Sequence, residues 1–160
     1  MLLPPEAGEL IQIGGFGTRY RVSSPSTRGA AAIVEHTLGP GLLGAPMHRH
    51  SREDEISCVT AGELTVQIGD EVHTAGAGSV VLKPRGIYHT FWNVGNEPVR
   101  FLEVIAPGGF EGYFRELRAL IPEDLEPDRG AIAALAARYG LEFDFGSVPQ
   151  LMERYGVRLG

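Results

Sequence analysis

Through roughly the first two thirds of the chain, apolar residues recur at every second position in short stretches, and glycine or proline breaks them up. Leu64, Val66 and Ile68 alternate with Glu63, Thr65 and Gln67, which predicts a strand with one wet face. Gly69-Asp70 turns that strand into a partner over Glu71 to Thr74. Leu10 to Ile13, Thr18 to Val22, Ala31 to Leu38, Ser79 to Lys83, His89 to Asn93 and Val99 to Ile105 read as further strands. The run Val80-Val81-Leu82 suggests burial on both faces. Many short strands at close spacing predict an all-β sandwich or small barrel.

After Pro107-Gly108-Gly109 the period becomes helical. Phe110, Phe114, Leu117 and Leu120/Ile121 form one stripe, and Pro122 is expected to end it. A second helix is expected from Asp128 as N-cap through Ile132, Leu135 and Tyr139 to Gly140, and a third from near Ser147 to Gly156. The expected division is therefore a β-barrel domain over 1–107 and a C-terminal helical extension over 108–160. That extension packs on the barrel or on a partner subunit and brings no chemistry of its own.

Composition narrows the function. Fourteen Lys and Arg against 20 Asp and Glu give a net charge of −6, which argues against nucleic acid or an anionic membrane as partner. Cys58 is the single cysteine, so no internal disulfide can form and a reducing compartment suits the chain. The N-terminal Met1 to Glu6 lacks the basic start and apolar core of a signal peptide, and no apolar run approaches about 18 residues. A soluble, cytoplasmic protein is expected.

Candidate chemistry lies between His48 and Asn93. Side chains two apart on a strand share a face, so His48 and His50 present two imidazoles together. Glu55 is at an odd offset from His50, and the polar run Ser51-Arg52-Glu53-Asp54 between them reads as a bend, after which Glu55 starts the next strand. His89 comes from a third strand beyond Pro84-Arg85-Gly86. Three imidazoles and one carboxylate suit a divalent transition metal. Glu53 and Asp54 compete with Glu55 as the carboxylate, but read better as solvated turn residues. His36 and His73 read as strand or surface histidines, and Cys58 as a small buried hydrophobe on the face opposite Glu55. His89, Phe91 and Asn93 share a face, which makes Phe91 a candidate pocket wall. Trp92 points the other way, toward the core or a subunit interface.

The same stretch resembles the cupin superfamily. Its first motif, H-x-H-x4-E-x6-G, is filled by His48, His50, Glu55 and Gly62, and its second, G-x5-P-x-G-x2-H-x3-N, by Gly78, Pro84, Gly86, His89 and Asn93. The glycine usual six residues before the first histidine is replaced by Leu42, with Gly41 and Gly44 nearby. The resemblance implies a jelly-roll barrel over about residues 9–107, holding one divalent ion (Fe, Mn, Ni, Co, Cu or Zn) on His48, His50, Glu55 and His89. It implies a homodimer, for which the sequence itself offers Trp92 and the aromatic tail helix as an apolar face. Similarity to quercetinase-type dioxygenases implies a small enolic or phenolic, quercetin-like substrate and makes Glu55 the catalytic base. The other readings are a metal-dependent isomerase or lyase of a sugar or small keto acid, and a non-catalytic small-molecule binding module.

Overall fold

A computed structural model describes residues 2–121 and 127–160. Its strands are β1 (Leu10–Ile13), β2 (Phe16–Val22), β3 (Ala32–Leu38), β4 (Leu42–Leu43), β5 (Met47–His50), β6 (Asp54–Ala61), β7 (Glu63–Ile68), β8 (Glu71–Gly76), β9 (Val80–Lys83), β10 (His89–Asn93), β11 (Val99–Ala106), β12 (Leu141–Asp144) and β13 (Arg158–Leu159). The helices are α1 (Gly112–Leu120), α2 (Arg129–Arg138) and α3 (Ser147–Tyr155). One sheet runs β1-β2-β3-β11-β6-β9. The other runs β12-β5-β10-β4-β13, with β7 also pairing β10 and β8 pairing β7. The protein is an all-β jelly-roll barrel that carries a short C-terminal helical tail.

Strict alternation creates the interior. Ala32, Val34, His36 and Leu38 point inward from β3, and Val99, Phe101, Glu103 and Ile105 from β11. Register sets these residues side by side, with Phe101 opposite His36 and Glu103 opposite both Val34 and Ser57. Phe16, Leu38, Leu64, Val66, Phe91 and Phe101 fill the barrel between the sheets. Each such side chain contributes about 1.5–3 kcal/mol on burial. Gly44 lets the backbone pass against this core, because a Cβ there would lie 2.1 Å from the Phe91 ring.

The tail is woven into the barrel. β12 pairs antiparallel with β5, Leu141 opposite His50 and Phe143 opposite His48, and β13 runs parallel to β4. The helical periodicity gave no sign of these two strands. Asp128 caps α2 by accepting from the Gly130 and Ala131 amides at 2.8 and 3.1 Å. Pro122, the expected end of α1, lies outside the described residues.

Two expectations need correction. β9 is an edge strand whose outer face is open, so Val80 and Leu82 are 67% and 54% exposed, and the buried residue is Lys83. Trp92 is fully buried beneath α3, 4.3 Å from the Tyr155 ring and clustered with Leu43, Leu151 and Val157. It cannot supply an exposed apolar face.

Candidate metal centre

His48 and His50 point inward from β5, and His89 from β10 stands directly opposite His48 in the ladder. The bend over Ser51 to Glu53 carries the chain from one sheet to the other, so Glu55 approaches from the facing wall. Gly86, with φ +78°, shapes the turn before His89, and its amide donates to the His50 carbonyl at 2.7 Å. One ligand atom from each of His48, His50, Glu55 and His89 lies within 4.8 Å of the others, and all four residues are buried.

This arrangement fits a metal. Ligands about 2.1 Å from one ion lie up to about 4.2 Å apart, so a contraction of a few tenths of an ångström closes the set. His48 Nδ1 lies 2.8 Å from the Pro46 carbonyl and His89 Nδ1 3.1 Å from that of Ile87. A proton held there on each ring leaves the Nε2 lone pair for a cation. Neither His50 nitrogen has a hydrogen-bond partner among the described residues, although both are buried. Its Nδ1 faces Glu53 Oε2 at 3.5 Å and its Nε2 faces Glu55 Oε1 at 3.5 Å.

The neighbouring acids separate clearly. Glu53 is buried at 5% exposure beside His50, not solvated as its place in a polar run suggests. Asp54 points outward to Arg85 at 2.7 Å, and that guanidinium holds its carboxyl down to about 2. Of the other candidates, His36 is buried in the barrel, stacked 4.7 Å from Phe16 and hydrogen-bonded to Thr18 Oγ1 at 3.0 Å. Burial, aided by Lys83, pushes it down to about 3, so it stays neutral. His73 lies at the surface beside Glu71. Cys58 is half-buried on the outer sheet face opposite Val80.

A buried charge network flanks the histidines. Lys83 Nζ lies 3.2 Å from Glu55 Oε2 and 2.6 Å from Glu103 Oε2, which also accepts from Ser57 Oγ at 2.8 Å. Two carboxylates thus compete for one ammonium in a dry site. Burial acts to raise the Glu55 carboxyl, but Lys83, His50 and His89 together hold it well below its ordinary range. Burial prevails at Glu103, with repulsion from Glu55 adding to it against the pull of Lys83, and pushes that carboxyl up to about 7. Burial acts against the Lys83 charge, but the two carboxylates reverse this and raise its pKa. The periodicity did hold a signal for Glu103, an acid at an inward position between Phe101 and Ile105.

From the histidines a cavity of about 150 Å³ extends toward the tail. Phe91 is on its wall with Phe16, Phe110, Tyr113, Phe114 and Phe143, so α1 and β12 supply much of the lining. Phe110 meets His50 edge-on at 4.3 Å. The extension therefore shapes the site, although it adds no ligand to the histidine cluster.

A jelly-roll barrel with a buried His-His-Glu-His cluster defines a class of protein, and comparison with known proteins gives that class its name. Residues 34–105 match the family model Cupin_2, cupin domain. KdgF from Halomonas sp. is similar in fold, with a TM-score of 0.62 at 16% identity over 70% of this chain and 97% of that one. A structure described as a predicted oxalate decarboxylase from Thermotoga maritima gives 0.63 at 23% identity, over 67% of this chain and 99% of that one. A sugar phosphate isomerase of the cupin superfamily from Silicibacter pomeroyi gives 0.57 at 22%, over 66% and 75% of the two chains. At such identities the likeness establishes the fold alone. No curated protein matches the sequence. Among the described residues no helix is long and apolar enough to cross a membrane.

Proposed function

We propose that the protein is a metal-dependent dioxygenase acting on a small enolic or phenolic substrate, with one divalent ion held by His48, His50, Glu55 and His89. The observation that carries this reading is the union of the four-ligand cluster with a cavity whose wall is almost wholly apolar. A sugar or sugar phosphate needs several hydrogen-bonding or cationic wall groups. The only lysine on this wall, Lys83, is already engaged by two carboxylates. An apolar ring with an enolic or phenolic edge matches such a lining.

His48, His50, Glu55 and His89 would hold the divalent ion, which would supply Lewis acidity toward an enolate and, if redox-active, one-electron chemistry with dioxygen. The chain's own residues do the rest. Glu55, kept ionised by Lys83 and the imidazoles, accepts the enolic proton as catalytic base. Phe91 and Phe110 hold the ring against the cluster and exclude water. The test is an oxygen electrode, using protein loaded in turn with Fe, Mn, Ni, Co or Cu and offered enolic substrates. Uptake that needs both metal and substrate, and is absent from His48→Ala, is the expected result. Turnover without oxygen consumption would move the protein to Lewis-acid isomerase or lyase chemistry.

The reading includes a homodimer. Val80 and Leu82 lie exposed on the outer face of the first sheet, beside the half-buried Ile56, Cys58 and Leu102, and a second copy of this face would cover them. Sedimentation at twice 17.2 kDa is expected, and a mass at 17.2 kDa would remove the dimer.

A further inference from the structure

The cavity is small for a ligand site. Pockets for drug-sized molecules run to about 300–1,000 Å³, whereas an apolar protein cavity of about 150 Å³ holds a molecule the size of benzene. The present cavity, at about 150 Å³, is nearer the second size. Its aromatic walls also pack against one another: Phe110 stacks on Tyr113 at 5.1 Å and meets Phe114 edge-on at 5.6 Å.

One polar group on the aromatic wall has nothing to do. Tyr113 is 3% exposed, lines the cavity, and its hydroxyl has no hydrogen-bond partner among the described residues. Burial pushes this hydroxyl's pKa up, so it stays protonated and available as a donor. A buried hydroxyl left unpaired is unfavourable, and an acceptor on a bound molecule would relieve that. Outside the histidine cluster, His36 is occupied by Thr18, and Lys83 by Glu55 and Glu103. Glu103 Oε1 is also unpartnered, but it belongs to the charge network beside the histidines.

We propose that the substrate is a single-ring enol or phenol, far smaller than a flavonol, with an apolar body and one further oxygen that accepts a hydrogen bond from Tyr113. This rests on the reading of the cluster as a metal site for enolic ligands, and it assigns to the C-terminal extension the choice of substrate.

Zinc-loaded protein, which binds without redox turnover, provides the test by isothermal titration. The probes share one chelating head: a hydroxypyranone with a methyl group, the same ring with a hydroxymethyl arm, and a three-ring flavonol. Single-ring probes are expected to bind at least about 10-fold more tightly than the flavonol, and the hydroxymethyl arm to add about 2- to 10-fold. In Tyr113→Phe, whose fold is checked by its melting curve, the advantage of the arm disappears while the methyl compound binds as before. A flavonol that binds as tightly as the single rings would overturn the size assignment. An arm that gives no advantage, or one retained in Tyr113→Phe, would overturn the role of Tyr113. If zinc binds but no pyranone does, the enolic reading falls and this inference with it; if zinc does not bind, the metal site itself is wrong.

Discussion

Lys83→Met is expected to destabilise the chelator-treated protein by about 3–5 kcal/mol, the usual penalty for removing one partner of a buried ion pair. Lys83 is 1% exposed and is the ammonium for both Glu55 and Glu103. Without it two carboxyls face each other in a dry interior, and at least one must take up a proton to remain there. The pH dependence follows from the sign of those shifts. Glu103 is already pushed up to about 7, and loss of the cation raises it and Glu55 further. A carboxyl whose folded pKa lies above its unfolded one loses stability as pH rises between the two. The deficit should therefore be greatest at and above pH 7 and shrink toward pH 5. Urea denaturation of both proteins at those pH values measures it. A loss below about 1 kcal/mol at pH 7 would show that the network carries little of the fold's stability. Replacing Lys83, Glu55 and Glu103 together by apolar residues should restore much of it, since the unpaired charges go with the lysine.

The position of Lys83 shows where sequence reading reached its limit. Period-2 alternation located the strands because one face of each is buried, and Gly69-Asp70 marked its hairpin in the same way. The same rule misjudged Val80-Val81-Leu82, since a run of three apolar residues looks alike in a central strand and at an edge. Only the sheet order reveals that β9 has a single neighbour, β6, and that its outer face is open. With Val81 and Lys83 sharing the inward face, the charged residue enters the barrel and two valine and leucine side chains stay outside.

The residues of the histidine cluster were legible for a local reason. His48 and His50 need only strand parity, and Glu55 needs only a bend of the right length; the two motifs supply both. What surrounds them depends on contacts between residues far apart in the chain. Glu103 meets Lys83 across 20 residues, and Phe143 reaches His48 through the β12–β5 ladder, across almost 100. No local pattern encodes such pairings. Glu53 was misplaced for a related reason. A polar run reads as solvated, but this one crosses between the sheets beside the histidines, and its first acid, Glu53, is drawn under.

Purified without chelator, the protein is expected to carry about one divalent transition ion per chain, and the double variant His48→Ala/His89→Ala to carry none. Loss of a mere hydrogen-bond partner behind a ligand lowers metal affinity by about 10- to 100-fold, so loss of two ligands should exceed this considerably. The histidines are prepared for the ion before it arrives. Burial holds the pKa of His48 well below, and that of His89 below, the ordinary imidazole value, so both rings offer lone pairs at neutral pH and no proton need be displaced. Lys83 meanwhile pairs with Glu55, so removing the ion leaves that carboxylate with a cation, and the metal-free protein should remain folded. Metal then acts as a stabilising ligand: at about 1,000 times its dissociation constant it adds about 4 kcal/mol, seen as a melting temperature that rises on titration. In the double variant that rise should vanish while the metal-free melting curve stays cooperative. If the variant retained the ion, or its melting temperature rose with metal as the parent's does, the ion would be bound elsewhere. The cluster of His48, His50, Glu55 and His89 would then be a neutral polar core with no role in binding the metal.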